Sequence, residues 1–374
     1  MWQAEIRVDL GAIRQNVARL RSGTTAEVMA VVKADGYGHG MVPVARAALD
    51  AGATWLGVCT VDEALGLRAA GIETPVLAWL LAPGAPLEQA IRSGVDVSAG
   101  SLELLGEMVA AARAADRPAR VHLKIDTGLN RGGAKPTEWA ALVAAAAKAQ
   151  ADGQLDVVGV WSHLACADAI GHPSIDAQLA EYHDGLAVAE RAGLHPKYRH
   201  LSNSAALLTR PDCHFDLVRA GIAVYGLSPI PGETFGLRPA MTVRGRVMVA
   251  KRVPAGEGVS YGHTYTTSQE TTLAVVPLGY GDGVPRHASN SGPVLLGGHR
   301  RTVAGRVCMD QIVLDCGDDE VRAGDVAILF GPGDQGEPTA YDWADAVGTI
   351  SYEIVTRIGG VRVPRVYDGE VASV

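Results

Sequence analysis

The feature that most constrains this chain is a rhythm. Through its first two-thirds, a short apolar run is followed, time after time, by a stretch of helical periodicity. The apolar runs 28–33, 55–60, 75–80, 96–99, 120–126, 156–163, 198–202 and 217–225 read as strands. Segments 41–51, 62–70, 101–115, 136–151 and 174–192 read as helices, with Gly52, Gly71 and Gly193 placed where a helix ends in a left-handed residue. An α/β fold follows, and the strand count is that of a (β/α)8 TIM-type barrel. A doubly wound open sheet has the same local signature, so counting alone leaves both open.

Near residue 235 the rhythm stops. Runs 237–253, 271–278, 293–296, 300–307, 311–315 and 325–330 read as strands separated by glycine turns, with helical periodicity returning only at 340–347. The expected division is a barrel over 1–235 and a mostly-β C-terminal domain over 236–374, joined through SPIPGETFG at 228–236. The 374 residues suffice for two such cores, and 48% hydrophobic with 20% charged residues is ordinary globular usage.

Composition also excludes classes. A net charge of −8 argues against nucleic-acid binding. Glu5, Arg7 and Asp9 interrupt the start of the chain, so no secretory signal is expected there. The alanine-rich run 139–151 is too short for a membrane span and contains Lys148. Five cysteines without a C-x-x-C pair point to reduced thiols in a cytoplasm, and none has metal-site spacing.

Chemistry concentrates first in VMAVVKADGYGHG, residues 28–40. A β-branched run ends in Lys33, and a glycine-rich loop carrying Tyr37 and His39 follows. Lysine is rarely buried without a partner. A desolvated amine at the C-terminal end of a barrel strand is nucleophilic and suited to Schiff-base chemistry. A lysine snorkelling to solvent is the competing reading from local context.

Lys33 with Tyr37 in AVVKADGYGHG resembles the pyridoxal phosphate (PLP) attachment signature of the alanine racemase family. The resemblance continues in order through KIDTGLNRG (124–132), WSH (161–163), HLSNS (200–204), VRAGIAVY (218–225), VSYGH (259–263), GYGD (279–282), RVCMD (306–310) and SYEIVTR (351–357). It spans nearly the whole chain and implies a PLP-binding barrel followed by a β domain. It also implies two-base interconversion of L- and D-alanine, supplying D-alanine for peptidoglycan.

The resemblance implies roles for particular residues. Lys33 and Tyr261 are the bases on opposite faces of the substrate Cα. Tyr37, Asn203, Ser204, Gly221, Ile222 and Tyr352 belong to the cofactor site, the hydroxyls and backbone N–H groups serving its phosphate. Ser204 also suits a helix N-cap, and the two uses are compatible. Arg219 faces the pyridine nitrogen. A guanidinium only donates and stays charged, so it leaves that nitrogen unprotonated and the ring a weaker electron sink. That choice favours brief proton transfer over transamination.

Arg131 serves the cofactor's phenolic oxygen and the substrate carboxylate, to which Met309 offers its backbone N–H. His163 stands between Tyr261 and Arg219. An ordinary tyrosine keeps its proton to about pH 10, so a cationic neighbour is expected to help it ionise, and His163 is a candidate source of that field. Lys124 is satisfied either by a carbamate or by an ion pair with Asp126. Asp168, Arg286, Arg306 and Asp310 are entrance candidates, with surface ion pairs the competing reading for each. Finally, the resemblance implies a homodimer with shared sites, Tyr261 and Met309 coming from the second chain.

Overall fold

The computed structural model describes residues 2–369. Its chain divides into two compact units. One holds Ile13–Gly36 and Met41–Leu237; the other holds the residues up to Ala12, Tyr37–Gly40 and the chain from Arg238 onward. The first strand, β1 (Ala4–Asp9), belongs to this second unit.

The larger unit contains β2 (Glu27–Val31), β3 (Trp55–Val58), β4 (Val76–Ala78), β5 (Asp96–Ala99), β6 (Ala119–Lys124), β7 (Leu155–Trp161), β8 (Tyr198–His200) and β9 (Leu217–Ala220). They form one sheet in the order β8-β7-β6-β5-β4-β3-β2-β9, with every pairing parallel. Arg219 N–H reaches Ser202 O at 3.1 Å, and Asp216 N–H reaches Arg199 O at 3.1 Å. These bonds bring the two ends of the sheet together into a nearly closed (β/α)8 barrel, which removes the open doubly wound alternative. Helices alternate with the strands because the local signals agree. Thr60 and Glu63 form a capping box at the start of Val61–Ala69, and Ser101 accepts from Leu104 N–H at the start of Leu102–Ala115. Gly52, Gly71 and Gly193 do have positive φ.

Inside the barrel, Met29, Trp55, Leu77, Tyr198 and Leu217 pack into one buried cluster, with Trp79 against it. Burying a side chain of this size contributes about 1.5–3 kcal/mol. The interior is therefore filled with side chains, and function is confined to strand ends and to the few polar groups admitted among them.

The second unit is mostly β. β10 (Met241–Arg246), β15 (Pro293–Leu296), β16 (His299–Thr302), β18 (Val326–Phe330) and β19 (Arg365–Asp368) join β1 in a six-stranded sheet ordered β16-β15-β18-β10-β1-β19. β11 (Val249–Val253), β14 (Thr271–Val276) and β17 (Ile312–Asp315) form a three-stranded sheet, and β12 (Gly258–Val259) pairs with β13 (Tyr265–Thr266). β1 lies here because it alternates: Ala4, Ile6 and Val8 are buried, while Arg7 ion-pairs with Asp368 and Glu5 with Arg244. The glycine-rich residues Tyr37–Gly40 also pack in this unit, close against helix Ser351–Arg357. A Cβ on Gly38 would stand 2.3 Å from the Val355 carbonyl oxygen, at φ +80°. Gly38→Ala is therefore expected to cost about 3 kcal/mol, measured as a fall in the denaturation midpoint at unchanged slope.

Candidate active site

Lys33 follows β2 directly and opens a turn of unusual hand. Ala34, Asp35 and Gly36 all have φ between 51° and 61° and ψ between 46° and 51°, and Tyr37 continues with φ 51°. A left-handed residue other than glycine costs roughly 1–2 kcal/mol, so something must hold the turn. Glu63 does. Its Oε1 accepts from Ala34 N–H at 2.7 Å, and its Oε2 accepts from Cys59 N–H at 2.7 Å and Thr60 N–H at 3.2 Å. Asp35 Oδ1 accepts from Met41 N–H at 2.9 Å, and Tyr225 OH donates to Val31 O at 2.9 Å. The lysine is thus fixed from both sides of its strand end, its Nζ 6.0 Å from the centre of the Trp79 ring.

The other cations come from strands around the barrel, β6 and β9 among them. Lys124 ends β6, its Nζ 4.5 Å from the centre of the Trp161 ring; the Arg219 guanidinium lies 4.8 Å from the same ring. Arg219 is buried, and its fork is well satisfied. Nη1 donates to His200 O at 2.9 Å, while Nη2 donates to Ser162 O at 2.8 Å and Leu201 O at 3.0 Å. Burial pulls Arg219 down to about 10, which still leaves it charged at neutral pH. Lys124 is lowered to about 8 by burial first, then by Arg219 and Arg131, with Asp126 opposing. Near pH 8 its amine is a competent nucleophile.

His163 is where the expectation of charge fails. Burial, followed by Arg219, Arg131, Lys124 and Lys33, drives its imidazole well below the ordinary histidine range. It is therefore neutral at pH 7, its Nδ1 accepting from Arg219 Nη2 at 3.2 Å. The positive field belongs to the four side chains around it. Such a field, which Asp126 opposes at Lys124, is suited to an anionic ligand.

Ser204 begins helix Ser204–Thr209, which Asn203 caps by accepting from Ala206 N–H at 3.0 Å. The cap is Asn203 rather than Ser204. Ser204 Oγ accepts from Gly221 N–H at 2.8 Å and Ala223 N–H at 3.3 Å, so its own proton is available to donate. The Gly221 N–H points to Ser204 Oγ. Ile222 opens the short 3-10 turn that follows β9.

In the second unit, Tyr261 and Met309 are unusually exposed for their size, at 70% and 61%. Tyr261 lines a cavity of about 240 Å³ with Ser260, Val275, Cys308, Gln311 and Val313. Ser260 sits at φ 60°, ψ −171°, a conformation normally confined to glycine, and is held by its Oγ donating to Arg306 O at 2.7 Å. Tyr37 and Tyr352 meet in this unit with ring centres 6.5 Å apart. Asp168, Arg286 and Asp310 are exposed. Sequence reasoning passed over Trp161, Glu63 and Ser260. Of these, Trp161 was signalled by its apolar run ending two residues before His163.

A parallel barrel with a lysine held at a strand end and cations converging beside it, plus a β unit bearing an exposed tyrosine, defines the class: a barrel enzyme for an anionic cofactor or substrate. Family patterns for the alanine racemase N-terminal and C-terminal domains match residues 8–229 and 240–367. The alanine racemase of Salinispora arenicola is 71% identical over 370 residues, covering 99% of this chain and 100% of that protein. That of Thermobifida fusca is 63% identical, over 98% and 99%. Among solved structures, alanine racemase from D-cycloserine-producing Streptomyces lavendulae superposes with a TM-score of 0.98 at 55% identity, covering 99% and 98% of the chains. The Streptomyces coelicolor enzyme gives 0.97 at 57%, covering 98% of each. The chain belongs to the alanine racemase family, a family of isomerases whose general role is supplying D-alanine for peptidoglycan.

Among the described residues, no helix is long and apolar enough to cross a membrane, and no group of His, Cys, Asp or Glu could hold a metal ion.

Proposed function

We propose that this chain interconverts L- and D-alanine by a two-base reaction on PLP, in the cytoplasm, as a homodimer with shared sites. The observation that carries the cofactor reading is the set of four cationic side chains gathered around one half-buried, neutral histidine. When bound to Lys33, PLP supplies an electron sink that makes the substrate Cα–H acidic.

The chain's own residues then divide the work. Arg131 holds the substrate carboxylate and the cofactor's phenolic oxygen, as a planar guanidinium suits both. The Met309 backbone N–H adds to the carboxylate contact. Ser204 would donate its hydroxyl proton toward the phosphate, aided by Tyr37, Tyr352, Asn203 and the Ile222 backbone, while the Gly221 N–H, already given to Ser204 Oγ, holds that hydroxyl in place. Lys33 Nζ takes or returns the proton on one face of Cα, and Tyr261 Oη does so on the other. Tyr261 and Met309 reach the site from the partner subunit, which accounts for two large side chains exposed beside a cavity. Residues 1–235 act as the cofactor-binding part and 236–374 as the part that supplies these two groups. Arg219, which donates to three carbonyl oxygens, would face the pyridine nitrogen with donors alone and leave it unprotonated, favouring brief proton removal and return at Cα over transamination.

A chiral assay with a panel of L-amino acids tests the substrate. Alanine is expected to be racemised well ahead of serine and lysine, and equal rates for all three would overturn the narrow reading. Arg219→Glu tests the electronic role. It sets a carboxylate against the oxygens of Ser162, His200 and Leu201, so about 3 kcal/mol of stability is expected to be lost. In the folded, cofactor-loaded fraction, transamination should rise relative to racemisation. An unchanged ratio would remove Arg219 from the electronic account.

A further inference from the structure

The barrel interior contains a polar line that the proposed reaction does not use. Asp96 on β5, His122 on β6 and His200 on β8 are each 1% exposed or less. His122 Nε2 lies 3.2 Å from Asp96 Oδ2, His122 Nδ1 lies 2.9 Å from His200 Nε2, and His200 Nδ1 lies 3.1 Å from Arg219 Nη1. At the far end, Arg120 clamps Asp96 with Nε at 2.8 Å and Nη2 at 3.1 Å.

Space has been made for this line. The β6–β7 register shifts between Val121 and His122, and a Cβ on Gly159 would come within 2.1 Å of His122 Nδ1. His200 is fixed further by its backbone N–H donating to Tyr182 OH at 2.9 Å and by its ring stacking on Trp161, ring centres 5.6 Å apart at 3°. Burial of such groups is costly unless every one is paired.

The direction of the bonds is determined from one end. A guanidinium only donates, so His200 Nδ1 accepts and its proton sits on Nε2. That N–H faces His122 Nδ1, which must accept, placing the His122 proton on Nε2, aimed at the Asp96 carboxylate. Both imidazoles are then neutral, in keeping with His200 being pushed well below the ordinary histidine range by burial, Arg219 and His122.

We propose that Asp96, His122 and His200 form a one-way hydrogen-bond relay through the barrel core. It makes a carboxylate on one side of the core the remote counter-charge of Arg219 and fixes the orientation of its guanidinium. Asp96 and His122 are positioning residues. Their effect on catalysis rests on the proposed placement of Arg219 at the pyridine nitrogen; the relay itself does not. Asp96 polarises the two rings in turn, and the charge Arg219 presents is moderated by a group that never approaches the substrate.

The test is nitrogen-edited NMR of histidine-labelled holoenzyme. His122 and His200 should both appear as neutral rings protonated at Nε2, with low-field N–H protons. Asp96→Asn keeps an acceptor but removes the charge. It should move both protons upfield, shift the absorbance maximum of the bound cofactor, and lower kcat about tenfold with KM within about twofold. His122→Phe should abolish the low-field His200 proton. If that variant does not fold, Asp96→Asn decides alone. A His200 proton on Nδ1, or an Asp96→Asn enzyme with unchanged protons, spectrum and kcat, would overturn the relay. Intact low-field protons in an Asp96-sensitive relay, together with an Arg219→Lys enzyme of unaltered cofactor spectrum, would instead remove Arg219 from the pyridine and leave the relay standing.

Discussion

Lys33→Ala is expected to abolish racemisation, with a loss of at least about ten-thousand-fold. Two functions vanish together: the amine that binds the cofactor covalently and the base on one face of Cα. General-base catalysis alone contributes about 10²–10⁴, and loss of the covalent attachment adds to it. The fold should survive. Lys33 is half-buried at the end of β2, and the turn it opens is held by bonds from Glu63, Asp35 and Tyr225. The visible absorbance of lysine-bound PLP should disappear with the activity, while the melting temperature moves little. A Lys33→Ala protein that keeps both the band and wild-type turnover would transfer the cofactor to another lysine. Lys124, whose amine is lowered to about 8, would be the first to examine.

How much of this was legible in the sequence depended on whether the signal was local. The eight barrel strands were, because each is a short apolar run set off by helical stretches or turns, with side-chain caps marking two of the helix starts at Thr60 and Ser101. The placement of β1 was not. Its alternation of Ala4, Ile6 and Val8 with charged residues is visible, but its partners are Met241–Arg246 and Arg365–Asp368, far along the chain. The residues Tyr37–Gly40 fail in the same way. Nothing local shows that they pack with helix Ser351–Arg357, far along the chain.

Within the candidate site, Lys33, Lys124, His163 and Arg219 were legible through the ordered motifs that resemble those of the alanine racemase family, since local context alone left Lys33 open between a cofactor lysine and one reaching to solvent. The charge state of His163 was not, since it depends on four cations contributed by different strands. His122 and Asp96 look like isolated core polar residues in their own segments. Only the parallel register of β5 to β8 turns them into neighbours of His200 and so of Arg219.

Tyr261→Phe is expected to reduce racemisation by about 10²–10⁴-fold while leaving the cofactor absorbance intact, since only a phenolic oxygen is removed from a side chain that is 70% exposed in one chain. Exchange at Cα distinguishes a lost base from general damage. With Lys33 still in place, the variant should continue to exchange the Cα proton of one alanine enantiomer for solvent deuterium without inverting it, and should barely exchange the other. Loss of exchange from both enantiomers would mean that the tyrosine does something other than carry a proton on one face. The same variant tests where the tyrosine comes from. If Tyr261 is supplied by the partner subunit, mixing inactive Lys33→Ala and Tyr261→Phe chains and allowing them to re-associate creates heterodimers in which one site has both bases and the other has neither. Random pairing puts half the dimers in that form, so about a quarter of wild-type activity should return. If both bases came from one chain, every site in every dimer would lack one of them, and mixing would restore nothing.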